Sequence, residues 1–124
     1  MEIFQKTALG CLGGGAYVGL ELLWRGCSHI SMFAAGGICF LLLGQTRQAP
    51  AILRPVLGTA VITGVELITG LLVNRQYQVW DYRGIPGNFL GQICPVYTLL
   101  WIPLSLAAMA MYPHADRLIR KITP

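Results

Sequence analysis

Charge is what this chain has least of. Asp, Glu, Lys and Arg make up 11% of its 124 residues, against 55% hydrophobic ones, and the mean hydropathy is +0.60. A water-soluble domain carries about 25% charged residues, so most of this surface has no means of meeting water. The scarcity excludes a soluble globular domain and predicts an integral membrane protein. The net charge of +4 comes from basic residues scattered singly or in pairs. Without a clustered basic stripe, nucleic acid is not expected as a partner.

Catalytic and metal-binding patterns are missing as well. There is no G-x-x-x-x-G-K-[ST] to cradle a nucleotide phosphate, no H-E-x-x-H and no G-x-S-x-G. The two histidines, His29 and His114, fall at opposite sides of the expected membrane layer. The four cysteines include no C-x-x-C pair. Cys11, Cys39 and Cys94 lie inside apolar runs and Cys27 lies near the end of one, so they read as small buried hydrophobes. No catalytic residue, metal site or cofactor is expected, and the chain is not expected to be an enzyme. Leu9-Gly10-Cys11 resembles a lipoprotein cleavage site, but too few apolar residues precede it for an h-region of about 7–15 residues. The first apolar run is therefore read as a retained helix.

What the chain does have is four apolar segments, over 4–24, 29–44, 55–73 and 89–112, followed by a basic tail over 113–124. A bilayer crossing takes about 20 residues. The short second segment would have to recruit Cys27 and Ser28 or sit in locally thin bilayer. The expected fold is a single-domain, all-α integral membrane protein whose four transmembrane helices form two tandem hairpins. Pro55 opens the third helix, where its missing N–H costs nothing, and Asn88 is placed to cap the fourth. Lys6, Arg47, Arg54, Arg117, Arg120 and Lys121 lie on one side, and Arg25, Arg75 and Arg83 on the other. That bias puts both termini in the cytoplasm and the loop after the third helix outside, where Trp24, Tyr77, Trp80 and Tyr82 would form an aromatic belt.

The halves repeat one another. Gly19-Leu20-Glu21-Leu22 matches Gly64-Val65-Glu66-Leu67 at an offset of 45, and Gly36-Gly37-Ile38-Cys39 matches Gly91-Gln92-Ile93-Cys94 at an offset of 55. Two hairpins related by an axis along the membrane normal would give this pattern. Chance matches between apolar stretches are the competing explanation.

Glu21 and Glu66 are the first candidates for function, because a carboxylate inside a membrane helix costs about 2.5 kcal/mol or more. Arg25 stands one turn from Glu21, so a plain i, i+4 ion pair accounts for it. Glu66 has no basic residue within two turns of its own helix. It therefore needs a polar cavity or a partner from another segment. Asp81, Asn88 and Gln92 either line a polar path with the two glutamates or belong to an interfacial loop with Trp80, Tyr82 and Pro86. Gly10, Gly14, Gly15, Gly19 and Gly64 read as helix-packing positions. Pro95 and Pro103 read as kinks in the fourth helix.

Val79-Trp80-Asp81-Tyr82, then Pro86, Asn88, Gly91-Gln92-Ile93-Cys94 and Leu99-Leu100-Trp101 together resemble the signature of a family of small bacterial membrane proteins. This is the putative ABC-transporter type IV, or CmpB-like permease, family. Arg83 and Gly87 stand where its pattern carries small polar and apolar residues. The resemblance implies a multi-helix protein of the bacterial inner membrane with a role in transport. The expected function is a transporter or permease subunit moving a small solute or ion past the membrane glutamates. Its energy would come from a separate ATPase subunit or an ion gradient. The alternative is a structural or regulatory subunit that scaffolds a larger complex. Four helices hardly enclose a pathway, so a homo-oligomer or hetero-complex in the lipid bilayer is expected in either case.

Overall fold

The computed structural model describes residues 2–26 and 29–122. They form four helices: α1 (Glu2–Arg25), α2 (Ile30–Thr46), α3 (Arg54–Val73) and α4 (Pro95–Ile122). The expected all-α class holds among these residues, whose only extended pairing is an isolated bridge between Phe89 and Ile93. Cys27 and Ser28 lie outside the described residues.

α3 and α4 are long and apolar enough to cross a membrane, and α2, at 17 residues, is apolar but shorter. Only 17% of α3's apolar window and 22% of α4's is buried within the chain. The core helix of a soluble protein is covered by its own chain. Here Leu72 and Leu99 are 72% and 65% exposed, a surface that lipid covers and water does not. This is a membrane protein.

The fourth helix departs from expectation at both ends. It begins at Pro95 rather than at residue 89, because Leu90 and Gly91 adopt left-handed backbone (φ 55° and 68°) that no α-helix accommodates. Pro95 then takes the first helical position, where a missing N–H is harmless. Asn88 consequently caps a turn and not the helix. At the other end the helix runs through Pro103 and Pro113 to Ile122, so most of the basic tail is its last turns. Each internal proline leaves the carbonyl four residues back without its usual donor. An Asp116–Arg120 ion pair of 3.1 Å supports the last stretch.

α1 packs along α2 and α3 along α4, while α2 touches all three other helices. Leu43, Ile62, Trp101 and Met109 make the core where α2, α3 and α4 meet; Leu9, Tyr112 and Ile119 fill the α1–α4 contact. Close approach depends on glycine. A Cβ on Gly37 would stand 2.6 Å from the Gly10 carbonyl oxygen, one on Gly14 would strike the Phe33 carbonyl, and Gly13 lies against Phe40. Without a hydrophobic drive between helices in lipid, such backbone contact is a main source of cohesion. Gly10 and Gly14 thus lie at the α1–α2 contact. Among the described residues a Cβ on Gly15, Gly19 or Gly64 would meet nothing; Gly15 and Gly19 stand five residues from Gly10 and Gly14, which turns them well round the helix.

Candidate functional site

The site is assembled by the segment joining α3 to α4, and that segment is held by one asparagine. Asn74 ends α3, its N–H returning to the Gly70 carbonyl at 2.8 Å. Its side chain, fully buried, then makes four hydrogen bonds. Oδ1 accepts from the Val79 and Trp80 N–H groups at 2.8 and 3.1 Å, and Nδ2 donates to the Trp80 carbonyl at 2.7 Å and to Gln92 Oε1 at 2.9 Å. Gln92 completes the clamp by donating to the Asn74 carbonyl at 3.1 Å, and the Trp80 indole donates to the Gln92 carbonyl at 2.9 Å. Every polar atom in this layer has a partner, as burial requires.

Farther out the segment is tied by polar side chains. Asn88 Oδ1 accepts from the Gly91 N–H at 2.9 Å, and its amide donates to the Ile85 and Arg83 carbonyls. Tyr77, itself left-handed at φ 58°, donates its hydroxyl to the Leu90 carbonyl at 3.1 Å. Two strained residues therefore hold each other in place. Arg25 at the end of α1 joins in, donating to the Val79 carbonyl at 3.1 Å.

The clamp aims Tyr82 inward. Its hydroxyl donates to Glu66 Oε2 at 3.1 Å, and the Trp101 indole of α4 donates to Glu66 Oε1 at 3.3 Å. Tyr82 stacks on Tyr97 at 5.0 Å, and Tyr97 leans on Trp101 at 6.5 Å. Burial is the first reason the Tyr82 hydroxyl is harder to ionise than an ordinary phenol, and the neighbouring Glu66 is the second. Glu66 thus sits in an aromatic box, bonded by neutral donors, with no Lys or Arg paired to it among the described residues. Glu21 and Tyr17 of α1 lie within electrostatic reach of it.

Below Glu66 on the same face of α3 stand Thr59 and Thr63, spaced four and three residues apart as a helical face requires. Both hydroxyls are buried with no hydrogen-bond partner among the described residues. Thr59, Thr63 and Glu66 form a polar stripe leading from the start of α3 to the aromatic box.

The expected site residues separate into groups. Glu66 gains partners from two other elements. Glu21 Oε2 lies 2.7 Å from Arg25 Nε, the predicted i, i+4 ion pair, with an angle short of a hydrogen bond. Gln92, expected one turn inside the fourth helix, belongs instead to the Asn74 clamp. Trp80, expected on an exposed belt, is 7% exposed beside it, and Tyr82 turns in toward Glu66. Trp24, by contrast, is exposed, as an interfacial anchor would be. Pro86 is exposed, and Asn88 holds the turn. Of the cysteines, Cys94 is buried but Cys11 is exposed, contrary to expectation. Nothing in the sequence marks Asn74, whereas the spacing of Thr59 and Thr63 is legible in it.

Asp81 lies outside the box, paired with Arg83 at 2.8 Å, the Arg83 guanidinium in turn covering the Tyr77 ring at 4.1 Å. Hydrogen bonds from the Arg83 side chain, then from its backbone N–H, hold the Asp81 carboxyl at about 2. A depressed carboxyl contributes stability that is complete above its unfolded value and lost as pH falls through the folded one. Loop order should therefore be flat at neutral pH and fall only between about pH 4 and 2. Carboxyl-carbon NMR should place the Asp81 midpoint near 2, and Arg83→Gln should return it toward the ordinary carboxylate range.

A family model described as putative ABC-transporter type IV matches residues 19–124. The match spans all of α2, α3, α4 and the clamped segment. No curated protein and no solved structure matches the chain.

Proposed function

We propose, because the chain belongs to the putative ABC-transporter type IV family, that it is a small transporter or permease subunit of the bacterial inner membrane. All four helices cross the bilayer, as two tandem hairpins with both termini cytoplasmic. The six-to-three bias of basic residues supports that orientation. So does the meeting of Lys6, Arg47 and Tyr112, which gathers the start of α1, the end of α2 and the later part of α4 at one end of the bundle.

The observation that carries the reading is the Glu66 carboxylate, set within an apolar helix and answered only by neutral donors. An intramembrane carboxylate in this setting marks an ion or solute pathway by default. Thr59 and Thr63 supply unclaimed hydroxyls along the approach, and Glu21 lies within electrostatic reach. The moved species is a small solute or ion that Glu66 meets midway. The sequence carries no P-loop, so energy comes from a separate ATPase subunit or from an ion gradient. It is not itself an enzyme. Gly15 and Gly19 offer α1 a face open to a close helix–helix approach, which suits a homo-oligomer or a hetero-complex.

Affinity purification of the tagged chain in mild detergent tests this. The expected result is a complex with a nucleotide-binding ATPase, or a homo-oligomer that conducts a solute in proteoliposomes. A complex with unrelated membrane proteins and no flux would favour the second reading, a scaffold. The rigid Asn74 clamp is the observation on that side. A scaffold would be broken by Gly15→Leu and untouched by Glu66→Gln.

A further inference from the structure

A second feature lies at the opposite end of the bundle from the clamp. Gly10, Gly14 and Gly37 bring α1 and α2 together, and alongside their contact runs an open groove of about 530 Å³. Its walls are apolar, chiefly Ile3, Gly10, Phe33, Ala34, Ile38 and Leu41. From Phe33 to Leu41 the groove follows α2 for about 12 Å. At its terminal end stand Lys6 and Thr7, in the first turns of α1.

Lys6 is held there by Tyr112, whose hydroxyl its ammonium meets at 3.1 Å. Arg47 lies over the same ring, 4.8 Å from its centroid, and donates to the Gly44 carbonyl. No ion pair of either cation is found among the residues whose side chains are described. Two like charges gathered on one phenol repel unless an anion joins them. The site thus combines an apolar channel along the helices with two cations gathered at its end.

We infer that this groove binds an anionic phospholipid. One acyl chain lies between α1 and α2 against Gly10, Ala34 and Ile38, and the headgroup phosphate is taken by Lys6, with Arg47 adding to the attraction. A free phosphate would leave the apolar walls unused. A second copy of this chain would cover the same walls without supplying a phosphate to the two cations. The inference rests on α1 and α2 lying in the bilayer. It does not rest on transport.

The test is native mass spectrometry of the full chain after equilibration with equal amounts of phosphatidylglycerol and phosphatidylcholine. The wild type should retain phosphatidylglycerol about tenfold over phosphatidylcholine. Lys6→Gln, an exposed change, should bring that ratio down to about two, the part left to Arg47, and Ala34→Phe, which fills the groove, should release both lipids. Circular dichroism of each variant checks that the helices remain. Should Ala34→Phe fail to fold, Lys6→Gln still decides. Equal retention by the wild type, no retained lipid, or an undiminished preference in Lys6→Gln would each overturn the inference. So would an Ala34→Phe chain that keeps its lipid but loses its oligomer, which would assign the groove to a second copy. A failed flux assay would leave the lipid ratio unchanged, so the two readings fail separately.

Discussion

Asn74→Ala should destabilise this protein by roughly 4 kcal/mol, because it strands three buried groups and one half-buried N–H at about 1 kcal/mol each. They are the Val79 and Trp80 N–H groups, the Trp80 carbonyl and Gln92 Oε1. Bulk solvent does not reach this layer, where Asn74 and Gln92 are 0% and 2% exposed. Asn74→Asp is no milder: it keeps the two acceptor contacts but sets a buried carboxylate oxygen against the Trp80 carbonyl and Gln92 Oε1. Trp80→Phe removes a single bond, the indole to the Gln92 carbonyl, and should cost about 1 kcal/mol. Thermal midpoints in detergent should fall further for Asn74→Ala and Asn74→Asp than for Trp80→Phe. An Asn74→Ala midpoint equal to that of Trp80→Phe would show that the clamp does not hold the segment. The effect reaches the site because Tyr82 meets Glu66 only while the segment is seated.

That dependence explains which parts of the chain were legible. Helix number and class followed from apolar runs separated by turn residues, a signal that needs no partner. The start of the fourth helix was missed because Phe89, Leu90, Ile93 and Cys94 are apolar enough to extend the run. Backbone conformation, φ 55° at Leu90 and 68° at Gly91, overrules hydropathy there. Asn74 was missed for a related reason. A polar residue directly after an apolar run reads as the beginning of a loop, and its burial depends on Gln92, eighteen positions on. Gln92 was found as a polar residue at membrane depth, yet its partner could not be read from spacing along one helix. Of the glycines, Gly10 and Gly14 share a helical face and both meet α2. Gly15 and Gly19 have the same spacing but turn away, and spacing alone cannot tell a face covered by this chain from one covered by another. Glu66 was legible because a carboxylate in an apolar helix demands explanation from composition alone; its aromatic box was not, because it is drawn from α4 and from the segment before it.

Glu66→Gln should abolish transport while leaving the protein folded. The amide can keep both contacts: its oxygen accepts from the Trp101 indole, and its NH₂ group donates to the Tyr82 hydroxyl oxygen, which accepts as readily as it donates. Shape and hydrogen bonding survive and only the charge is lost. Glu66→Ala behaves differently, stranding two donors at about 1–3 kcal/mol each, and should lower folded yield as well as flux. Tyr82→Phe keeps the carboxylate and removes one donor, so flux should fall without vanishing. Thr63→Val removes a hydroxyl from the approach at nearly constant volume and should slow flux with little change in stability. The assay is proteoliposome flux of protons, alkali cations and small organic solutes, with wild type first defining what passes. The comparison of Gln with Ala separates the two roles a buried carboxylate can have. A residue that only joins helices would lose function in proportion to lost stability, placing Ala far below Gln and Gln near wild type. A residue that carries charge across the membrane would place Gln and Ala together at zero flux despite their different stabilities. Normal flux in Glu66→Gln would remove Glu66 from the pathway and leave it as a joint between α3, α4 and the clamped segment.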